Sequence, residues 1–251
     1  VTGIIAGLMA GLMGVGGGIV FGPVSYHLFT SLGAVASIRM HVAVGTSLAT
    51  IIPTSIISSY SHYKRGSLDA SVLKKLVPGV IVGVIIGAIG SGYLKGEILT
   101  AVFGVIAMLV AINMAFKKEE FSIGDGLPGP AGSGLLGLFI GGTSTLMGIG
   151  GGTLGVPLLS ALRVPMITAV GTGAALGFVI SVPGAIGFLI NGIGVELRPP
   201  FTIGYVNLMG LALIIPATML MAPVGTRIAH AINSKLLKQI FACFLFITSL
   251  R

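Results

Sequence analysis

Seven stretches of this chain contain no Asp, Glu, Lys or Arg: residues 1–38, 40–63, 76–94, 98–116, 126–162, 164–195 and 199–226. Most exceed the roughly 18 apolar residues that mark a membrane-spanning helix. Composition agrees. The chain is 54% hydrophobic and 8% charged, with a mean hydropathy of +1.08, whereas soluble domains carry about 25% charged residues. There is too little polar surface to wrap a water-soluble globule. A β-barrel would show alternation in segments of about ten residues, and the runs show none. The expected fold class is an all-α polytopic membrane protein, surrounded by the lipid bilayer.

The formal net charge of +8 is not a nucleic-acid footprint. The basic residues mark the ends of apolar runs, as at Lys64, Arg65, Lys74 and Lys75, and again at Lys117 and Lys118. That pattern anchors and orients membrane segments. The single cysteine, Cys243, excludes an internal disulfide and a multi-thiolate metal site. The first run is too long for a cleavable signal peptide and lacks its basic start.

The chain repeats itself. LMGVGGG at 12–18 returns as LMGIGGG at 146–152. On the same offset Pro23 falls on Pro157, and after a shift of eight residues AVGT at 43–46 returns as AVGT at 169–172. Pro53 and Pro183 follow the two AVGT segments. A polar linker, KKEEFSIGDGLPGP at 117–130, separates the copies. The expected organisation is a first membrane repeat at 1–116, the linker at 117–130 and a second repeat at 131–251. Internal repeats are the usual plan of secondary transporters.

Each repeat opens with an apolar segment of about 30 residues broken by glycines. Unbroken, it would be roughly 45 Å long at 1.5 Å per residue, more than the hydrocarbon core of about 30 Å. It is either one broken crossing or a re-entrant hairpin. If the segments cross, the basic residues divide almost evenly between the two sides. If they are hairpins, Lys64, Arg65, Lys74, Lys75, Lys117, Lys118, Arg163, Arg227, Lys235 and Lys238 share one side. Arg39, Lys95, Arg198 and Arg251 keep the other. That bias matches the positive-inside rule. Hairpins leave three crossings per repeat, and an odd number inverts one repeat relative to the other, with both termini outside.

Three consecutive glycines end a helix and leave backbone N–H groups free, at a cost of several kcal/mol each in hydrocarbon unless they are satisfied. A helix starting after Gly16, Gly17 and Gly18, or after Gly150, Gly151 and Gly152, aims its positive end and free donors inward, as an anion site requires. Gly45 and Gly171 add a second break per repeat, and Thr46, Ser47, Thr153 and Thr172 add hydroxyls. GGTST at 141–145 supplies three more. Gly79, Gly83 and Gly87 instead have the four-residue spacing of close helix packing. No Gly-Lys-Ser/Thr follows the triple glycines, and no Rossmann spacing is met.

The duplicated GxGGG, the proline five residues later and the A-x-G-T-[SG] segment together resemble the TauE/SafE sulfite exporter family over nearly the whole chain. The resemblance implies a permease for small sulfur-containing anions, such as sulfite or organosulfonates, in a bacterial-type plasma (inner) membrane. It maps the family's motifs onto Gly14–Gly18 with Pro23, Gly148–Gly152 with Pro157, and the AVGT segments. The second copy departs by having Gly173 where the first has Ser47, so the two sides of the site are unequal.

The six acids, Asp69, Glu97, Glu119, Glu120, Asp125 and Glu196, all lie at run ends or in loops. No carboxylate relay crosses the membrane. His41 is the candidate for coupling or substrate contact, since its pKa can fall near neutrality; the alternative is a helix-end histidine with a satisfied hydrogen bond. Export of an anion needs no coupling ion, because a cytoplasm-negative potential drives it by about 2.3 kcal/mol per charge per 100 mV. The histidines form no HxxxH pair, so no enzyme, metal or cofactor is expected. A passive anion channel, or a permease for another small anion, is the competing function.

Overall fold

The structure is a computed structural model. It describes residues 2–18, 36–94, 126–196 and 198–249, with the isolated positions 98, 101, 105 and 108. Pro23, His27, Lys95, Glu97, Arg251 and linker residues 117–125 lie outside the described residues.

Eight helices run through the described residues. They are α1 (Thr2–Met13), α2 (Ala36–Lys64), α3 (Ala70–Ser91), α4 (Pro130–Met147), α5 (Gly152–Ala161), α6 (Met166–Asn191), α7 (Leu208–Ala231) and α8 (Ser234–Ser249). A two-residue hairpin pairs β1 (Thr202–Ile203) with β2 (Val206–Asn207) antiparallel, matching Thr202 with Asn207. Helices α2, α3, α6 and α7 are long and apolar enough to cross a bilayer. The protein is a multi-pass helical membrane protein. Two of those helices begin at polar caps. The Asp69 carboxylate accepts from the N–H groups of Ser71 and Val72, and the Asn207 side chain accepts from Gly210. Each cap satisfies donors that a helix start otherwise leaves free.

Small residues set the helix pairing. Gly79, Gly83 and Gly87 of α3 lie against Gly134, Leu138 and Gly142 of α4. Packing is where the sequence puts these three glycines, and their missing side chains let the backbones meet. In the same way Gly3, Gly7 and Gly11 of α1 lie against Ala217, Thr218 and Ala222 of α7. Contacts advance together along both pairs, so each pair is parallel. Helices α2 and α6 meet in the middle, where Leu48, Ile51 and Phe188 are fully buried.

The second broken segment reverses direction. Gly126 and Leu127, before α4, line one cavity with Leu162, Arg163, Val164 and Pro165, after α5. The chain from 126 to 165 therefore enters and leaves at one end of the bundle. In the turn after α1, Gly17 comes to rest beside Ala6. Gly14 at φ 68° and Gly148 at φ 65° occupy matching positions in the two turns. That left-handed conformation is cheap for glycine and costly for other residues. Gly148 caps α4, and the Ile149 N–H reaches back 3.0 Å to the Ser144 carbonyl.

The loops sort into two ends. Arg65, Asp69 and Arg163 lie at the first, and Arg39 and Arg198 at the second. Lys64 closes α2 at the first end, and Lys235 opens α8 there beside the last turn of α7.

Candidate functional site

The two glycine turns touch, backbone to backbone. The Val15 carbonyl lies against Gly150, the Gly14 carbonyl against Gly152, and the Gly148 carbonyl against Gly18. A Cβ on Gly152 would fall on the backbone of Gly14 and Val15. Here glycine is required by proximity, in addition to turn geometry. Gly16 faces the Ile51 side chain, Gly17 faces Ala6 and Gly151 faces Leu176.

Ser47, fully buried on α2, ties the turns together. Its hydroxyl donates to the Gly148 carbonyl at 2.6 Å, with the Gly18 carbonyl at 3.4 Å. On the other side of the junction α5 begins with Gly151 as its N-cap and no side-chain cap. Thr153 is its second residue. Its hydroxyl is fully buried and has no hydrogen-bond partner among the described residues. The Ser144 hydroxyl, one turn before the Gly148 cap, is buried and unpartnered too. A buried hydroxyl without a partner costs about 1–3 kcal/mol, and a helix N-terminus carries about half a positive charge. Together they suit a small anion that accepts hydrogen bonds.

The other sequence-chosen hydroxyls lie elsewhere. Thr46 accepts from the Asn207 N–H at 2.9 Å, and Thr172 accepts from the Asp69 N–H at 3.2 Å. Gly45 lies under the Tyr205 carbonyl and Gly171 under the Ser67 carbonyl. These four residues dock loops on α2 and α6 and do not join Ser47 at the glycine turns. Each threonine is an anchor because its neighbouring glycine lets the loop approach. His41 is likewise at the second end. Its Nε2–H faces the carbonyls of Ser91 and Leu94, both at 3.1 Å, and its ring centroid is 5.1 Å from that of Tyr205. This matches a helix-end histidine with a satisfied Nε2, although Nδ1 is buried without a partner. Burial pushes the Tyr205 phenol above its ordinary range, against the pull of Arg198.

A cavity opens at each end. One of about 600 Å³ is lined by Asp69, Arg163 and Thr168. The other, about 540 Å³, is lined by Glu196, Arg198 and Thr202. Each is lined by one arginine. Arg163 sits at φ 60°, a conformation uncommon outside glycine.

Sequence reasoning passed over two features. Asp69 and Asn207 cap the helices whose loops are docked, and an Asp or Asn directly before an apolar run was a usable signal. The second feature is a pair of histidines. His62 and His230 are far apart in sequence, but their ring centroids are 5.2 Å apart. Nothing local in the sequence pairs them. Among the described residues no three His, Cys, Asp or Glu side chains gather as a metal site.

Comparison with known proteins is consistent with this architecture. A family model described as sulfite exporter TauE/SafE matches residues 1–251. A probable membrane transporter protein of Haemophilus influenzae is 30% identical over 99% of this chain and 94% of its own length. One from Methanocaldococcus jannaschii is 27% identical over 100% of this chain and 92% of its own. A third, from Bacillus subtilis, is 27% identical over 94% and 88%. No solved structure matches.

Proposed function

The chain belongs to the sulfite exporter TauE/SafE family, and we propose that it is a permease that carries a small sulfur-containing anion, such as sulfite or an organosulfonate, outward across the inner membrane. Membership and the named relatives support a membrane transporter. The substrate, direction and mechanism are our reading.

One observation carries it: the unpartnered Thr153 hydroxyl at the uncapped start of α5, where the two glycine turns meet. An anion there would accept from Thr153 and from backbone N–H groups of the α5 start. Ser47 would hold the opposite wall by its bond to Gly148.

Alternating access fits the packing. Helix α1 pairs with α7 and α4 pairs with α3, while the 67–69 loop docks on α6 and the 205–207 loop docks on α2. Each contact has a counterpart with the partners exchanged. That reciprocity supports two inverted repeats, 1–116 and 131–251, that rock about the junction. The concentration of Lys and Arg at the first end supports a cytoplasmic location for that end.

The test is anion binding to the purified protein, by thermal shift and calorimetry, with sulfite, thiosulfate, ethanesulfonate, sulfate, chloride and acetate. Saturable binding confined to sulfur anions is expected. Equal binding of every anion, or of none, would defeat the specific site and favour a channel, whose flux does not saturate at modest concentration.

A further inference from the structure

Positive charge gathers where α2 gives way to α3. Four exposed bases flank one short loop: Lys64 and Arg65 at the end of α2, and Lys74 and Lys75 in the second turn of α3. Asp69 is the one acid in residues 1–96. Its carboxylate is engaged by the N–H groups of Ser71 and Val72, and the first turn of α3 adds no acidic side chain. The second end of the bundle differs. There Arg198 donates to the Gly192 carbonyl at 3.2 Å and stands two residues from Glu196.

Below these bases the helices turn apolar faces outward. At helical spacing Lys74 stands above Ile81 and Ile85, and Lys75 above Val82, Ile86 and Ile89. All five apolar side chains are exposed. From Lys75 to Ile85 the helix rises about 15 Å, half of a hydrocarbon core of about 30 Å and so the depth of one leaflet. On α2 the exposed stripe is Ile56, Tyr60 and Tyr63. Tyrosine at the end of a membrane helix sits at the level of the lipid headgroups. The Lys64 ammonium lies over the Tyr60 ring, 4.5 Å from its centroid, and this attraction holds the charge at that depth.

We propose that this surface binds a phospholipid with a net negative headgroup. The headgroup phosphate rests among Lys64, Arg65, Lys74 and Lys75, and an acyl chain lies along the outward face of α3. Charge complementarity selects an anionic headgroup over a zwitterionic one, since each base at a negatively charged leaflet adds about fivefold to binding. The apolar face selects a lipid over a soluble phosphate. The loop between the bases is also the one that docks on α6, where the Ser67 carbonyl covers Gly171 and the Asp69 N–H donates to Thr172. A bound lipid therefore braces that joint. The site stands whether or not the protein carries a sulfur anion.

Lipid titration of the purified full chain, followed by native mass spectrometry, tests the site. The probes are dioleoyl phosphatidylglycerol, dioleoyl phosphatidylcholine and soluble glycerol phosphate. Phosphatidylglycerol is expected to bind saturably and more tightly than phosphatidylcholine, with glycerol phosphate unable to displace it. In Lys74→Gln/Lys75→Gln its affinity should fall by about tenfold or more. The control is Arg227→Gln/Lys235→Gln, which removes two other exposed bases and should lower the affinity by less than threefold. Equal losses in the two double variants would overturn the proposal, since only the general field of the basic end would then be at work. Equal affinity for the two lipids would overturn it too, as would displacement by glycerol phosphate. Binding of phosphatidylglycerol that is untouched by Lys74→Gln/Lys75→Gln would also overturn it and leave these lysines to the linker acids Glu119, Glu120 and Asp125. Thermal melts in phosphatidylcholine nanodiscs check that each variant is folded. In phosphatidylglycerol nanodiscs wild type should melt higher than in phosphatidylcholine, and Lys74→Gln/Lys75→Gln should lose most of that difference.

Discussion

Helices α2 and α6 carry the same motif and use most of it alike. Val44 lies against Gly148 in one turn, and Val170 lies against Gly14 in the other. Gly45 and Thr46 receive the loop that ends at Asn207, while Gly171 and Thr172 receive the loop that ends at Asp69. The next position breaks the match. Ser47 donates to the Gly148 carbonyl, but Gly173 lies against the Cα of Gly152. On the same register His62 corresponds to Phe188, and on the offset of the glycine turns Thr153 corresponds to Ile19. What the two copies share holds the fold. What they do not share includes the unpartnered Thr153 hydroxyl and the buried His62 imidazole.

Substitutions can break the shared part first. Gly152→Leu drives a side chain into the backbone of Gly14 and Val15. Overpacking of this kind costs about 3 kcal/mol or more, and the expected outcome is loss of folded protein on size-exclusion chromatography. Gly90 of α3 is the opposite case, since a Cβ added there would meet nothing within 4 Å. Gly90→Ala is expected to raise the melting point, by about 0.5–1 kcal/mol of stability. If the two substitutions behave alike, proximity is not what selects glycine at the junction.

Smaller changes sharpen the asymmetry. Ser47→Ala leaves the Gly148 carbonyl without its buried donor and should cost about 1–3 kcal/mol in a thermal or denaturant melt. The two loop caps should differ from each other. Asp69→Ala removes a cap worth about 1 kcal/mol. Asn207→Ala removes a cap and also the bonds from its amide to the Pro200 carbonyl and the Thr202 hydroxyl, both at 3.0 Å. It should cost about 2 kcal/mol. Equal losses would mean that the two loops are held with equal strength.

Much of this architecture was legible in the sequence because it depends on local chemistry. Uncharged runs fix which segments can enter a bilayer. The glycine at 14 and the glycine at 148 permit the left-handed turns. The site was legible only in part. The sequence names Thr46, Ser47 and Thr172 as candidate hydroxyls, yet which of them is already spent on a loop is decided by chain segments far away in sequence. The pairing of His62 with His230 depends in the same way on how α1, α2 and α7 approach. No periodicity encodes it.

Thr153→Val tests the central claim most directly. The change keeps the shape of the side chain and removes a hydroxyl that has no partner among the described residues. Stability should move by less than about 0.5 kcal/mol. Calorimetry against the sulfur anion that wild type binds should show an affinity loss of about tenfold or more, roughly 1.4 kcal/mol. Unchanged affinity in a stably folded Thr153→Val would contradict an anion site at the meeting of the glycine turns.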